Sequence, residues 1–267
     1  MLDEMEFRHK LDRIRCFALD LDGTFYLGNR LFKFSIPFLR KVKETERDFL
    51  FVTNNSSKTS VEYAEKLSAM GLNIPPEKIY TSADATVEYL LNYGPGHRLF
   101  VLGTEALIRF FERHGFVMEP DHPDAVVLGF DLDFDYSRFS HATRLLRKGI
   151  PFFATHPDLT CPIENGEYLP DCGALAAALT AATGVRPQVL GKPYRTMVEG
   201  ILRRAGVGTQ DLAIVGDRLS TDIRTGKENG ILSILVLTGE TRYFHLRKSI
   251  IQPDYILPSL KELMDYL

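Results

Sequence analysis

The stretch Ile14–Tyr26, IRCFALDLDGTFY, constrains the fold more than any other part of the chain. Ile14 to Ala18 are apolar apart from Arg15, and such a run reads as a strand buried on both faces. It stops at two carboxylates, Asp20 and Asp22, spaced one residue apart. Gly23 then allows a sharp turn, and Thr24 adds a hydroxyl and an amide beside the acids. Open parallel sheets bind ligands outside the carboxyl ends of their strands, where such a pair would stand. Asp-x-Asp also occurs in calcium loops and in ordinary turns. An EF-hand loop counted from Asp20 needs a glutamate at its twelfth position, and Leu31 stands there instead. The calcium loop is excluded, while a plain turn after a strand stays open on this stretch alone.

Strands that end in polar residues recur downstream. DFLFVT (48–53) reads as a second strand and runs into Thr53, Asn54, Asn55, Ser56 and Ser57. Free backbone N–H groups at such a strand-to-helix junction favour an anion, although the same residues serve equally as loop and cap. VLGKP (189–193) puts Lys192 just past a short strand. A cation there would neutralise an anionic intermediate, whereas a lone lysine is ordinarily a surface charge. LAIVGD (212–217) is a further buried strand ending in Asp217, and GDRLSTD leads into a helix around 223–229. Asp222 also reads as a helix-start carboxylate favoured by the helix dipole. Adjacent strand ends would bring Asp20, Asp22 and Asp217 together, and carboxylates that close repel unless a proton or cation intervenes. All-oxygen ligands with room for waters and a phosphate favour Mg2+, whereas zinc would want His or Cys.

Taken together and in this order, DLDGT (20–24), TNNSS (53–57), GKP (191–193) and GDRLSTD (216–222) resemble the four motifs of the haloacid dehalogenase superfamily. The long insertion between the second and third is similar to the NagD or para-nitrophenylphosphatase branch, and the resemblance covers nearly the whole chain. It implies an α/β fold with a doubly wound, Rossmann-like parallel-sheet core, residues 1–81 and 187–267, interrupted by an inserted α/β cap domain, residues 82–186. It further implies that the Asp20 side chain, the Asp22 backbone carbonyl and the Asp217 side chain bind the metal, with Asp222 supporting its shell and Lys192. Thr53 and the Asn54 amide would hold the transferring phosphoryl group, and Asn55 would help shape the site. The expected activity is Mg2+-dependent hydrolysis of small phosphomonoesters. Asp20 attacks phosphorus in line, and Lys192, Thr53 and the amides around Asn54 hold the equatorial oxygens. Asp22 gives a proton to the leaving alcohol and takes one from the water that cleaves the aspartyl phosphate.

Composition narrows the alternatives. With 267 residues, 45% hydrophobic and 25% charged, the chain can bury a proper core in one large or two modest domains. A net charge of −3 gives no global attraction to nucleic acid or anionic membrane, so an anion site must be local. The N-terminus is charged and lacks the apolar stretch of a signal peptide, and no run approaches the ~20 apolar residues of a membrane span. A cytoplasmic protein is expected. Cys16, Cys161 and Cys172 are odd in number without CxxC spacing, so neither a disulfide framework nor a zinc site is suggested.

Elsewhere the reading is one of alternating strands and helices. Ser35 can cap a helix whose apolar side uses Ile36, Phe38, Leu39 and Val42. A helix over 60–70 ends at Gly71, a short strand spans 78–81, and Ser82 can cap the next helix. RLFVLG with 105–114, AVVLGF with 136–148 and PFFAT with 174–183 are three strand-then-helix units. ILSILVLTGE is a last central strand, followed by PDYIL and a terminal helix over 259–267. Thr238, Gly239 and Glu240 resemble a family rim loop and are assigned no chemistry.

Inside the insertion, Thr155 to Ala174 forms a long polar connection, and long loops in compact domains are often functional. The resemblance makes His156, Asp158 and Asp171 specificity groups, with Leu159 and Tyr168 as wall residues. His156 stands where the family pattern commonly has Asn. A solvated loop with a turn-forming Asp is the competing reading. Three other functions compete with the phosphatase. A dehalogenase needs neither the second acid nor the metal. A phosphomutase would return the phosphoryl group to a sugar, but the large insertion after the second motif argues for hydrolysis. A phosphometabolite-binding or regulatory protein with little turnover is the third. The expected partner is a small phosphorylated metabolite, with a homodimer through the cap implied by the branch.

Overall fold

The computed structural model describes residues 2–163 and 167–267, so positions 164–166 of the polar connection lie outside the described residues. Helix α1 (Glu4–Leu11), closed by an Asp3 and Glu6 capping box, precedes β1 (Cys16–Leu19). A small hairpin of β2 (Tyr26–Leu27) and β3 (Arg30–Leu31) follows, then α2 (Ser35–Glu44), β4 (Asp48–Thr53), α3 (Ser60–Ala69) and β5 (Ile79–Thr81). Next come α4 (Ser82–Tyr93), β6 (Arg98–Leu102), α5 (Glu105–Arg113), β7 (Val117–Met118), β8 (Ala125–Leu128), α6 (Tyr136–Arg147) and β9 (Phe152–Ala154). The polar connection carries β10 (Thr160–Pro162) and β11 (Tyr168–Pro170), and α7 (Cys172–Thr183) and β12 (Gln188–Val189) close the stretch. The chain ends with α8 (Arg195–Ala205), β13 (Leu212–Gly216), α9 (Arg224–Asn229), β14 (Leu232–Val236), α10 (Tyr243–Leu246), β15 (Tyr255–Leu257) and α11 (Leu260–Leu263).

Two compact units result. The first comprises Met1–Thr53, Tyr63–Tyr80 and Val198–Leu267. Its sheet has the order β15-β14-β13-β1-β4-β5, and β1 runs parallel to both β13 and β4. Every residue of β1, β13 and β14 is buried, as expected for strands covered on both faces. Around them Phe17 packs edge-on to Phe38, and Phe25 edge-on to Phe51, each such buried side chain stabilising the core by about 1.5–3 kcal/mol. From β1 the chain moves outward through β4 and β5, then returns to the other side of β1 at β13. The β1/β13 edge is therefore a topological switch point, where doubly wound sheets bind ligands. Leu19 lies opposite Val215, so the residues after both strands leave the sheet side by side.

The second unit comprises Asn54–Glu62 and Thr81–Met197. Its parallel sheet has the order β12-β9-β8-β6-β7, and β10 and β11 form a separate antiparallel ribbon. Alternation along the strands feeds two cores: Leu99, Val101 and Val127 pack with Phe110 and Phe111, while Leu102, Val126 and Leu128 pack with Leu145 and Leu179.

Several local assignments differ from the sequence reading. The expected insertion, 82–186, lies within the second unit, but that unit also takes in Asn54–Glu62 and runs on to Met197. Hydrogen bonds explain this. Phe130 N donates to Ser56 Oγ at 2.9 Å, Ser56 Oγ pairs with Thr155 Oγ1 at 3.0 Å, and Thr104 Oγ1 donates to the Ser57 carbonyl at 3.1 Å. Ser35 does not cap α2; its hydroxyl donates to the Phe25 carbonyl at 2.6 Å. Nor does Ser82 cap α4. Thr81 does so with Asp84 in a capping box, leaving the Ser82 hydroxyl to donate to the Asn54 carbonyl. A π-helical turn, Leu219–Ile223, precedes α9, a feature frequent at functional sites. Among the described residues no helix is long and apolar enough to cross a membrane.

Candidate active site

The first unit gathers three carboxylates at the switch point. Asp20 follows β1, and its amide donates to the Val215 carbonyl at 2.9 Å. Its side chain, that of Asp217 after β13 and that of Asp222 in the π turn each offer an oxygen within 4.8 Å of the others. All three are buried, at 8, 2 and 0% exposure respectively.

Asp217 is gripped from a loop that the sequence reading left without a role. Glu240 N donates to Asp217 Oδ2 at 2.5 Å, and Thr241 N to its carbonyl at 3.2 Å. Thr238 Oγ1 donates to the Gly23 carbonyl at 2.6 Å, tying that loop to the first turn. Two glycines make room for the carboxylate: a Cβ on Gly23, whose φ is +82°, would lie 2.7 Å from Asp217 Oδ2, and one on Gly239 would overlap the same oxygen. Asp222 Oδ2 accepts from Arg218 N at 3.1 Å, and Arg218 Nε meets Glu240 Oε2 at 3.0 Å.

This packing has an electrostatic cost. Burial, and then the neighbouring Asp222, push the Asp217 carboxyl up to about 7 against the opposing Glu240 amide and Arg218. Asp217 Oδ1 is buried and has no hydrogen-bond partner, a defect worth about 1–3 kcal/mol. An orphaned oxygen among three oxygen donors, with neither His nor Cys in the set, fits a hard divalent cation.

Asp22 stands apart from that trio. Its half-buried carboxylate accepts from the Tyr26 hydroxyl at 3.1 Å, and Lys66 Nζ lies 4.1 Å from the centroid of the same ring. Burial, and then Asp22, raise the Tyr26 phenol above its ordinary range. Tyr26 went unmarked in the sequence reading, and the 238–241 loop, marked there only as resembling a family rim loop, turns out to contact Asp217 and the Gly23 carbonyl.

Within the second unit a different group assembles. Lys192 is 1% exposed. Its amide donates to Asn54 Oδ1 at 2.7 Å, and Asn54 Nδ2 donates to the Lys192 carbonyl at 3.1 Å. Gly191 is required here, since a Cβ would lie 2.5 Å from the Thr155 carbonyl and 2.7 Å from Asn54 Oδ1. Asn55 Oδ1 accepts from Ser57 N at 2.9 Å and Ser57 Oγ at 2.7 Å, while Thr53, the last residue of β4, is buried and belongs to the first unit. His156, Asp158 and Asp171 come together around a buried imidazole: the ring is 0% exposed, 3.6 Å from the part-buried Asp158 through Nδ1 and 3.5 Å from the buried Asp171 through Nε2, with one ligand atom of each within 4.8 Å of the others. Leu159 and Tyr168 are exposed. Burial pushes the Cys172 thiol up to about 12, which suits packing rather than nucleophilic attack.

Comparison with known proteins agrees on one family. A haloacid dehalogenase-like hydrolase model matches residues 17–117, and a HAD-hydrolase-like model matches residues 189–263. A 5'-nucleotidase of Bacillus subtilis, YutF, is 32% identical over 251 residues, covering 94% of this chain and 98% of the relative. The crystal structure of a 4-nitrophenylphosphatase from Thermotoga maritima superposes with a TM-score of 0.92 at 44% identity, covering 96% of this chain and 98% of that one. A glycerol phosphate phosphatase of Mycobacterium tuberculosis, solved in complex with calcium, gives 0.84 at 32% identity, covering 95% of this chain and 76% of that one.

Proposed function

This chain belongs to the haloacid dehalogenase-like hydrolases, in the branch of NagD and the para-nitrophenylphosphatases, and it is a phosphatase of small phosphomonoesters; we propose that it works through an aspartyl phosphate on Asp20 with Mg2+ as cofactor. The observation that carries the metal-dependent reading is the Asp20, Asp217 and Asp222 cluster with its orphaned Asp217 oxygen. Asp20, Asp217 and the Asp22 carbonyl would hold the cation, with Asp222 behind them. When bound, Mg2+ offsets the repulsion between carboxylate and phosphate oxygens.

The chain's own residues carry the steps. Asp20, anchored by its amide to β13, attacks phosphorus while the P–O bond to the alcohol breaks. Asp22 protonates the departing oxygen, then takes a proton from the water that hydrolyses the aspartyl phosphate and regenerates Asp20. The Tyr26 hydroxyl fixes the Asp22 rotamer between those two transfers. Lys192 supplies charge, and Thr53 and the amides around Asn54 supply hydrogen bonds, to the equatorial oxygens, where positioning and electrostatics do most of the work.

A cytoplasmic site of action goes with three free thiols and no disulfide among the described residues. Pairing of two copies through the second unit is the branch expectation, and sedimentation velocity decides it. The central test is phosphate release from 4-nitrophenyl phosphate with and without Mg2+, beside Asp20→Asn. The wild type is expected to turn over only with the metal and the variant to lose turnover by about 10⁴-fold or more, as removal of a covalent nucleophile does. Absence of metal-dependent release from the wild type would leave a phosphometabolite-binding protein standing.

A further inference from the structure

His156 is a buried titratable group of the second unit that the proposed chemistry does not use. Carboxylates face both edges of its ring: Asp158 Oδ2 lies 3.6 Å from Nδ1 and Asp171 Oδ1 lies 3.5 Å from Nε2. A neutral imidazole carries one N–H and one lone pair, so one carboxylate would then face a lone pair. Only the imidazolium presents a proton to each, and two carboxylates at 3.5 and 3.6 Å, Asp171 buried and Asp158 part-buried, favour that charged ring. A ring nitrogen and one oxygen of each carboxylate also lie within 4.8 Å of one another, so a metal ion is the competing occupant, and it would need a ring nitrogen's lone pair where the clamp needs a proton.

Each carboxylate is anchored to something further out. Asp171 is the N-cap of α7 and accepts from Cys172 N at 2.6 Å. Asp158 Oδ1 accepts from Asn54 Nδ2 at 3.5 Å, the same nitrogen that donates to the Lys192 carbonyl, while Asn54 Oδ1 takes the Lys192 amide. The chain of contacts runs from the α7 N-terminus through Asp171, His156, Asp158 and Asn54 to the Lys192 backbone. A Cβ on Gly191 would lie 3.1 Å from His156 Cβ, so the ring also abuts the turn that carries Lys192.

We propose that His156 is a positioning residue: as an imidazolium it clamps Asp158 and Asp171 together, which sets the Asn54 amide and through it the backbone of Lys192. The inference rests on the reading of Lys192 as the charge that meets the phosphoryl group. It gives His156 an internal role in place of the substrate contact expected from the sequence. The titratable groups around the ring are Asp158 on its own loop, Asp171 and Cys172 at the start of α7, and Lys192 beyond Gly191. The Cys172 thiol stays neutral, since burial pushes it up to about 12.

The test combines long-range 1H–15N NMR of the histidine ring nitrogens in the whole protein with kcat and KM against pH. Activity is followed on 4-nitrophenyl phosphate with Mg2+ for the wild type, His156→Asn and Asp158→Asn. The clamp requires both His156 nitrogens to carry protons at pH 7, and a wild-type kcat that falls as the ring deprotonates. His156→Asn should lower kcat about tenfold or more with KM changed less than about twofold, as supporting residues do, and should lose that alkaline limb. A neutral His156 ring at pH 7 overturns the inference, and so do variant profiles that match the wild type. The NMR result needs no variant and stands even where His156→Asn fails to fold. A wild type that releases no phosphate at any pH overturns the phosphatase reading itself, which the ring spectrum does not address.

Discussion

Asp217 shows how far single residues in this protein are specified by what surrounds them. Its carboxylate is held by the Glu240 amide, crowded by Asp222 and given space by Gly23 and Gly239. Gly239→Ala would drive a methyl group into that carboxylate, and overpacking of this kind costs about 1–3 kcal/mol or displaces the neighbour. The expected outcome is a fall in metal-dependent phosphate release of about 100-fold, the penalty for misplacing a site group by about an ångström. Titration calorimetry with Mg2+ should show correspondingly weaker binding, while the far-ultraviolet circular dichroism stays that of the wild type. Unchanged Mg2+ affinity would dissociate Gly239 from the metal site.

Among the elements, the edge of the first sheet depends on one carboxylate. Asp254 precedes β15, accepts from Ser233 N at 2.9 Å and Ser233 Oγ at 2.8 Å on β14, and meets Lys227 Nζ of α9 at 2.7 Å. Burial raises its carboxyl, but Lys227 and the Ser233 donors outweigh that and hold it below the usual carboxylate range. A group depressed in the folded state stabilises above its unfolded pKa of about 3.9, and that contribution is lost as pH falls through the folded value. Asp254→Asn should therefore cost about 1–2 kcal/mol at pH 7 and progressively less below about pH 4. Urea melts of both proteins across that range measure it, and a pH-independent difference would show that packing, not charge, ties β15 to β14. The same scale explains where the helix-cap reading failed: Ser35 and Ser82 have the right chemistry for a cap, but each hydroxyl satisfies a carbonyl from a distant segment instead.

For the molecule as a whole, the cation is a linkage term. An ion that binds the folded chain alone at about 100 times its Kd adds about 2.7 kcal/mol. For a chain of this size that corresponds to about 5–10 °C in Tm, since about 2–4 °C accompany each kcal/mol in somewhat smaller domains. Mg2+ should raise the melting temperature by that order, EDTA should reverse it, and Asp217→Asn should abolish the increment. Hydrogen exchange should place the added protection in the first unit, at the carboxyl ends of β1 and β13. Protection appearing chiefly around α7 would put the ion elsewhere.

By itself the sequence determined the alternation of strands and helices, the parallel sheets and the acids at their ends. These are local patterns, in which an apolar run that halts at Asp20 or Asp217 carries its own signal. It also supplied the motif residues, because DLDGT and GDRLSTD are contiguous. Only the tertiary structure decided what those residues touch. The Asn54 side chain and the Lys192 backbone are 138 positions apart, and Glu240 and Asp217 are 23 apart. Ser56 bonds Thr155 across 99 positions and thereby joins the second motif to the insertion. Hydrogen bonds of that span leave no periodicity for a sequence to display, since they exist only where the assembled sheets bring separate loops to one place.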